Sequence, residues 1–308
     1  MSIYHVLRPL LPEGLILSDE PMSRHTSFKI GGPAEVYITP QDTNQLAKVF
    51  QACKEAGYPT VVIGGGCNTL VSDEGVQGVV ISTCGMSYTS ICGNYITAGS
   101  GTKLSKLADA ACKAGLSGLE FASGIPGTVG GAVFMNAGAY KYEIKDVCEE
   151  VTALLPDGEV VCYQKDELAL GYRTSRFQNQ TVIITEAKFK LTPGNPEEIR
   201  ASIADLNNRR RTTQPLCYPS AGSAFKRPSQ PDRYAARMID ENGLKGLTVG
   251  DAQVSEKHAG FIINTGNATA ADVIGLMKAV QEKIHKVSGI WLEPEVQMVG
   301  FDKDPFAL

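Results

Sequence analysis

The chain has 308 residues, 43% of them hydrophobic and 20% charged, and a formal net charge of −4. A chain of this length predicts about two domains, the composition is that of a soluble globular protein, and the acidic balance offers no basic stripe for nucleic acid. No stretch approaches the ~18 consecutive apolar residues of a membrane span.

The N-terminal MSIYHVLRPLLPEGLIL has no basic stretch before its apolar residues and no small-residue cleavage site, so no signal peptide is expected. Residues 34–39 (AEVYIT) alternate as a strand does, and TNQLAKVFQACKEAG follows as a helix with Leu46, Val49, Phe50 and Cys53 on one stripe, ended by Gly57. VVI at 61–63 is a short buried strand running into three glycines. VVIST at 79–83 and YITAGS at 95–100 read as strands, and KLSKLADAACKAG at 103–115 as a second amphipathic helix. VTALLPDGEVVCY is a hairpin turning at Asp157-Gly158, and VIITEAKFKL is a further strand.

Beyond residue 192, PGNPEEIRASIADLNNRRRTT reads as a linker and a helix, with Pro196 and acidic residues at its start. AARMIDENG is a short helix ended by Gly243, and FIIN is a strand. TAADVIGLMKAVQEKIHKVSG has the strongest helical pattern, with Val273, Leu276, Met277, Val280, Ile284 and Val287 on one side. IWLEPEVQMVG reads as a closing strand. The pattern is α+β, with a larger N-terminal domain over 20–192, itself divided near 75–80, and a smaller C-terminal domain over 200–303.

Eight cysteines, at 53, 67, 84, 92, 112, 148, 162 and 217, form no CxxC pair, and the four histidines form no HExxH pattern. No metal site or disulfide framework is expected, and reduced thiols point to the cytoplasm.

Three glycine-rich segments stand out: IGGGCNTL at 63–70, AGSGT at 98–102 and SGIPGTVGGAVFMNAG at 123–138. Glycine lets backbone N–H groups approach a ligand closely, as phosphate sites require. Each loop taken alone could equally be a tight turn packed on its neighbours. Three of them, each beside a strand or helix, favour a long ligand containing a diphosphate. Neither GxxxxGK[ST] nor a GxGxxG after the first strand is present, which excludes the P-loop and the Rossmann fingerprint.

HTSFKIGGPAE, VIGGGCNTLV, SGIPGTVGGAVFMNAGAY, GYRTSRF, PSAGSAFKRP, AARMIDENGLKG and LEPEV occur in this order. Together they resemble the UDP-N-acetylenolpyruvoylglucosamine reductase family, over almost the whole chain from about residue 20 to 301. The resemblance implies an FAD-binding fold of the vanillyl-alcohol-oxidase type, two α+β subdomains clasping FAD, with a C-terminal α+β substrate domain. The family also has longer members with an extra tyrosine-bearing loop before the serine motif; only 50 positions separate Arg173 from Ser223, so the chain resembles the shorter type.

By resemblance, FAD would be held without a covalent bond by Ile63, Gly64, Gly65, Gly66, Cys67, Asn68, Thr69 and Leu70 in the first loop and by Gly99 in the second. The third would contribute Ser123, Gly124, Ile125, Pro126, Gly127, Val129, Gly130, Gly131, Asn136, Ala137 and Gly138. Cys67 stands where relatives often have serine; it is read as a small isostere, the alternative being a covalent flavin link. Arg227 stands where many relatives have asparagine.

The family reaction carries hydride from NADPH through FAD to the enolpyruvyl group of UDP-N-acetylglucosamine enolpyruvate, and the adjacent carbon then takes a proton. Arg173 matches the cation that binds the substrate carboxylate, for which a planar guanidinium suits better than lysine. Ser223 matches the proton donor. Glu295 matches the catalytic carboxyl, which if protonated could donate a hydrogen bond to the enolate. Without the resemblance these read as a loop arginine, a turn serine and a solvated strand glutamate. Tyr172 and Gly222 are expected beside the substrate, and Lys226, Arg227 and Lys245 are candidates for its diphosphate or else surface cations. An FAD oxidase of the same fold acting on a sugar or alcohol is the alternative enzyme, and a nucleotide-binding module without activity a third reading. No nucleic-acid, membrane or obligate protein partner is expected.

Overall fold

The computed structural model describes residues 2–307. They form two compact units that interleave in sequence. The first runs to residue 18 and continues over 36–65 and 78–210; the second holds 19–35, 66–77 and the chain from 211 on.

In the first unit, α1 (Ile3–Leu7) and α2 (Thr43–Glu55) pack over strands that include Thr60–Ile63 and Val76–Ser82, which run parallel. Asp42 starts α2, its carboxylate accepting a hydrogen bond from the Gln45 N–H at 2.8 Å. The expected stripe of Leu46, Val49, Phe50 and Cys53 is buried in one core with Val36, Ile38, Val79 and Ile81. Burial pushes the Cys53 thiol up to about 11.

The other part of this unit is a five-stranded antiparallel sheet. Its order is Val160–Gln164, Cys148–Leu154, Ile183–Lys190, Tyr95–Gly99, Thr89–Cys92. The helices α3 (Leu104–Lys113) and α4 (Val129–Phe134) share a core with it, including Leu107, Val129, Val133, Val151 and Phe189. The hairpin expected at Asp157-Gly158 is present, with Gly158 at φ 90°. The glycine-rich segment at 123–138 contains a helix, α4, that periodicity did not predict. Val129, Ala132 and Val133 are buried at helical spacing, and two glycines in six residues are too few side chains to display that period in sequence. Helix α5 (Pro196–Thr213) follows.

The second unit carries a four-stranded antiparallel sheet, Ser220–Ser223, Phe261–Asn264, Ala252–Val254, Thr248–Val249, with α6 (Ala235–Glu241) and α7 (Ala270–Ser288). Five of the six residues expected on the apolar side of α7 are buried. Val287 is 53% exposed, because the last turn runs past the core. The closing segment is a strand only over Gln297–Val299. Proline 294 cannot donate to a ladder, so residues 293–295 make a short bridge to 224–226, and the chain then changes partner and pairs in parallel with Thr69–Val71.

That parallel pair explains why the units interleave, where contiguous domains over 20–192 and 200–303 are expected from sequence. A second tie acts in the same direction. The Asp73 carboxylate accepts from the Ala270 and Ala271 N–H groups at 2.8 and 3.0 Å, at the start of α7, beside the helix's own capping box of Thr269 and Asp272. Asp73→Ala should lower stability by about 1 kcal/mol, since a helix N-terminus loses a capping acceptor and a favourable charge. Asp73→Asn should lose less. Thermal unfolding of both variants checks this, and a wild-type midpoint for the alanine variant would contradict it.

Candidate active site

Within the first unit the second and third glycine segments meet through backbone. The Val129 N–H donates to Thr102 O at 2.9 Å, Gly130 N–H to Ser100 O at 2.8 Å, and Leu104 N–H to Gly127 O at 3.1 Å. Two glycines make this approach possible. A Cβ on Gly64 would lie 2.4 Å from Thr128 Oγ1, and one on Gly130 would lie 2.9 Å from the Ser100 Cβ. Ser100 and Thr128 are both buried, and among the described residues their hydroxyls have no hydrogen-bond partner. An unmet buried hydroxyl costs about 1–3 kcal/mol, so two of them where glycine loops converge suit a ligand with anionic oxygens.

Other residues expected at this cradle have different surroundings. Gly99 sits against Met86 O and the Tyr88 ring, Gly124 against Asn207 and Arg210 of α5, and Gly138 against Tyr142 O. Asn136 is fully buried at φ 42°, and its side chain is spent inside the protein: Nδ2 donates to Gly171 O at 2.8 Å and to the Glu143 carboxylate at 3.1 Å, while Oδ1 accepts from the Lys145 N–H at 2.9 Å. The first loop is divided, with Ile63, Gly64 and Gly65 in the first unit and residues 66–70 in the second. There Leu70 is a core residue, and Asn68 Nδ2 donates to Glu295 O at 3.0 Å.

Arg173, also in the first unit, occupies a two-residue turn closed by a pair of backbone hydrogen bonds between Gly171 and Thr174, at 3.1 and 3.2 Å. Its φ is 55°, a left-handed conformation that costs a non-glycine residue about 1–2 kcal/mol. Its guanidinium lies 5.2 Å from the centroid of the exposed Tyr172 ring.

In the second unit, Ser223 ends the strand Ser220–Ser223 opposite Phe261, directly after Gly222 at φ 81°. The Glu295 N–H donates to Ala224 O at 2.9 Å, and the Lys226 N–H donates to Glu293 O at 2.8 Å. Ser223 and Glu295 therefore stand on paired segments, one residue out of step, although 71 positions of intervening chain gave no sign of it. In the same unit the candidate cations are already paired. Lys226 Nζ bonds the Glu293 carboxylate, Lys245 Nζ lies 2.8 Å from Asp240 Oδ2, and Arg227 lies 5.1 Å from the Tyr234 ring centroid. His258, which sequence reading passed over, is held below the usual histidine range by burial, with a smaller contribution from Lys245. Its only sequence signal was that of an isolated histidine.

Comparison with known proteins agrees with this organisation. Residues 34–163 match a family of FAD binding domains, and residues 214–299 match the C-terminal domain of UDP-N-acetylenolpyruvoylglucosamine reductase. A relative of that name from Agathobacter rectalis is 48% identical over 304 residues, covering 94% of this chain and 96% of the relative. Another from Clostridium kluyveri is 46% identical and covers 96% and 97%. The crystal structure of the reductase from Thermus caldophilus superposes with a TM-score of 0.79 at 38% identity, covering 92% of this chain and 98% of that one. A Phl p 4 variant described as a glucose oxidase matches at 17% identity with a TM-score of 0.50 over 64% of this chain and 45% of its own, a likeness of fold alone. The fold is α+β of the vanillyl-alcohol-oxidase type, and the chain belongs to the UDP-N-acetylenolpyruvoylglucosamine reductase family.

Proposed function

We propose that this chain is the NADPH-dependent flavoenzyme that reduces the enolpyruvyl group of UDP-N-acetylglucosamine enolpyruvate to a lactyl ether. The product, UDP-N-acetylmuramate, feeds peptidoglycan synthesis, and we place the enzyme in the cytoplasm. The observation that carries the reading is identity of 46–48% with reductases of that name over almost the whole of both chains. The oxidase reading has in its support only the likeness of fold.

The cradle fits FAD. Ser100 Oγ and Thr128 Oγ1 would supply the hydrogen bonds its diphosphate needs. When bound and reduced by NADPH, FAD supplies hydride to C3 of the enolpyruvyl group. The chain's own side chains have the remaining tasks. Arg173 holds the substrate carboxylate through its planar fork, which also favours the negative charge that develops beside it. Glu295 polarises the enolate, and Ser223 Oγ delivers the proton to C2, completing reduction of the double bond. Lys226 and Lys245 would exchange Glu293 and Asp240 for the substrate diphosphate, with Arg227 beside them.

Gly64→Ala tests the cradle. A methyl group at that position falls on the Thr128 hydroxyl, so the folded variant should purify with far less FAD than wild type. Undiminished flavin would reject this placement. Acid precipitation of the wild type should leave its FAD in the supernatant, whereas flavin on the precipitate would point to a link at Cys67.

Ser223→Ala tests the proton donor. NADPH should reduce the variant's flavin at close to the wild-type rate, while reoxidation by the enolpyruvyl substrate should slow by at least about 10²–10³, the usual cost of losing one preorganised donor at a developing charge. Rapid mixing under anaerobic conditions separates the two halves. Reoxidation at the wild-type rate would reduce Ser223 to a turn residue.

A further inference from the structure

We propose that Gln178 is a positioning residue for Arg173, holding the arginine's left-handed backbone in place through its amide. This inference rests on the reading of Arg173 as the cation that binds the substrate carboxylate. The side-chain nitrogen Nε2 of Gln178 donates to Arg173 O at 3.0 Å and to Phe134 O at 2.9 Å. Both acceptors are carbonyl oxygens, so only the NH₂ end of the amide can face them. Phe134 is the last residue of α4, and its carbonyl also accepts from Ser175 Oγ at 2.7 Å. The Arg173 turn is thus tied by one side chain to the end of the helix that begins in the glycine cradle.

The turn is tied on its other side as well. Asn136, two residues beyond α4, donates to Gly171 O, on the opposite limb of the turn. Asn136 and Arg173 are both non-glycine residues at positive φ, 42° and 55°, and Tyr140 and Lys141 in the same segment stand at 55° and 74°. Strained conformations of this kind persist only where their surroundings over-determine them, and they collect where a side chain must be aimed. Gln178 supplies that constraint at the carbonyl of Arg173 itself, the atom whose direction changes when φ and ψ relax. It is half-buried, in a short helical turn over Arg176–Asn179, and its substitution leaves the buried Asn136 and Ser175 ties in place.

Gln178→Ala and the isosteric Gln178→Glu should both fold, retain FAD and undergo reduction by NADPH as wild type does. Reoxidation by UDP-N-acetylglucosamine enolpyruvate should slow about 10–100-fold, the scale of loss when a reacting group is displaced by about 1 Å. The glutamate variant separates donation from bulk. It fills the same volume but presents acceptor oxygens to two carbonyls, so it should be no faster than alanine; recovery of the wild-type rate with glutamate would overturn the proposal in favour of packing. The double variant with Arg173→Lys closes the test. If Gln178 acts through Arg173, Gln178→Ala should add little to the slowing that Arg173→Lys already causes. Fully multiplicative losses, or reoxidation of Gln178→Ala at the wild-type rate, would overturn it. Should Arg173→Lys alone leave reoxidation unchanged, the underlying reading of Arg173 fails instead, and the two failures are distinguishable.

Discussion

The approach of bare backbone to a hydroxyl-bearing wall is the constraint on which the first unit depends. At Gly64 and Gly130 there is no space for a methyl group, because Thr128 and Ser100 already occupy it. That closeness draws a strand end, a turn and the start of α4 into one wall, laced by backbone hydrogen bonds. It also leaves the two hydroxyls buried and unmet. Burying such groups works against folding, so the arrangement is best understood as one completed by a ligand whose oxygens accept from them. The long side of α4 serves the sheet core, and its far end serves the Arg173 turn. One short helix therefore links the glycine segments to the turn that carries Arg173.

The second unit turns on a different feature, the short bridge that pairs the segment bearing Ser223 with the segment bearing Glu295. Proline 294 ends one pairing after a single bridge, and the chain then bends to a new partner strand. The bend sets Glu295 next to the segment that bears Ser223, with the Asn68 amide fixing the Glu295 carbonyl. Short pairings on either side of a proline take the place of the single closing strand expected over IWLEPEVQMVG.

Most helices were legible because their apolar stripes have the period that burial demands; α2, α3 and α7 lie where the stripes predict. The glycine segments stood out by their density of glycine, and the structure joins the second and third through backbone hydrogen bonds. What escaped detection has no local signature. Ser100 and Thr128 are ordinary residues until tertiary packing buries them. Gln178 is one polar residue among several, and only the fold brings its amide to Arg173. Asn136 was assigned to the cradle by resemblance, and its buried amide makes three hydrogen bonds within the protein. Motif matching locates Arg173, Ser223 and Glu295 without revealing that the first stands in a strained turn or that the last two share a pairing.

The parallel pairing of Thr69–Val71 with Gln297–Val299 has a consequence for how the protein is made. During translation the early strand leaves the ribosome long before the segment that will hydrogen-bond to it has been polymerised. Its backbone groups, and the apolar Leu70 that belongs to the second core, must stay solvated or chaperoned through that interval. The second unit can close only once residues 297–299 have emerged, whereas the five-stranded sheet of the first, complete at residue 190, has no such wait. Nascent chains stalled between those points should display a structured sheet beside an unpaired edge, the form most exposed to aggregation and proteolysis.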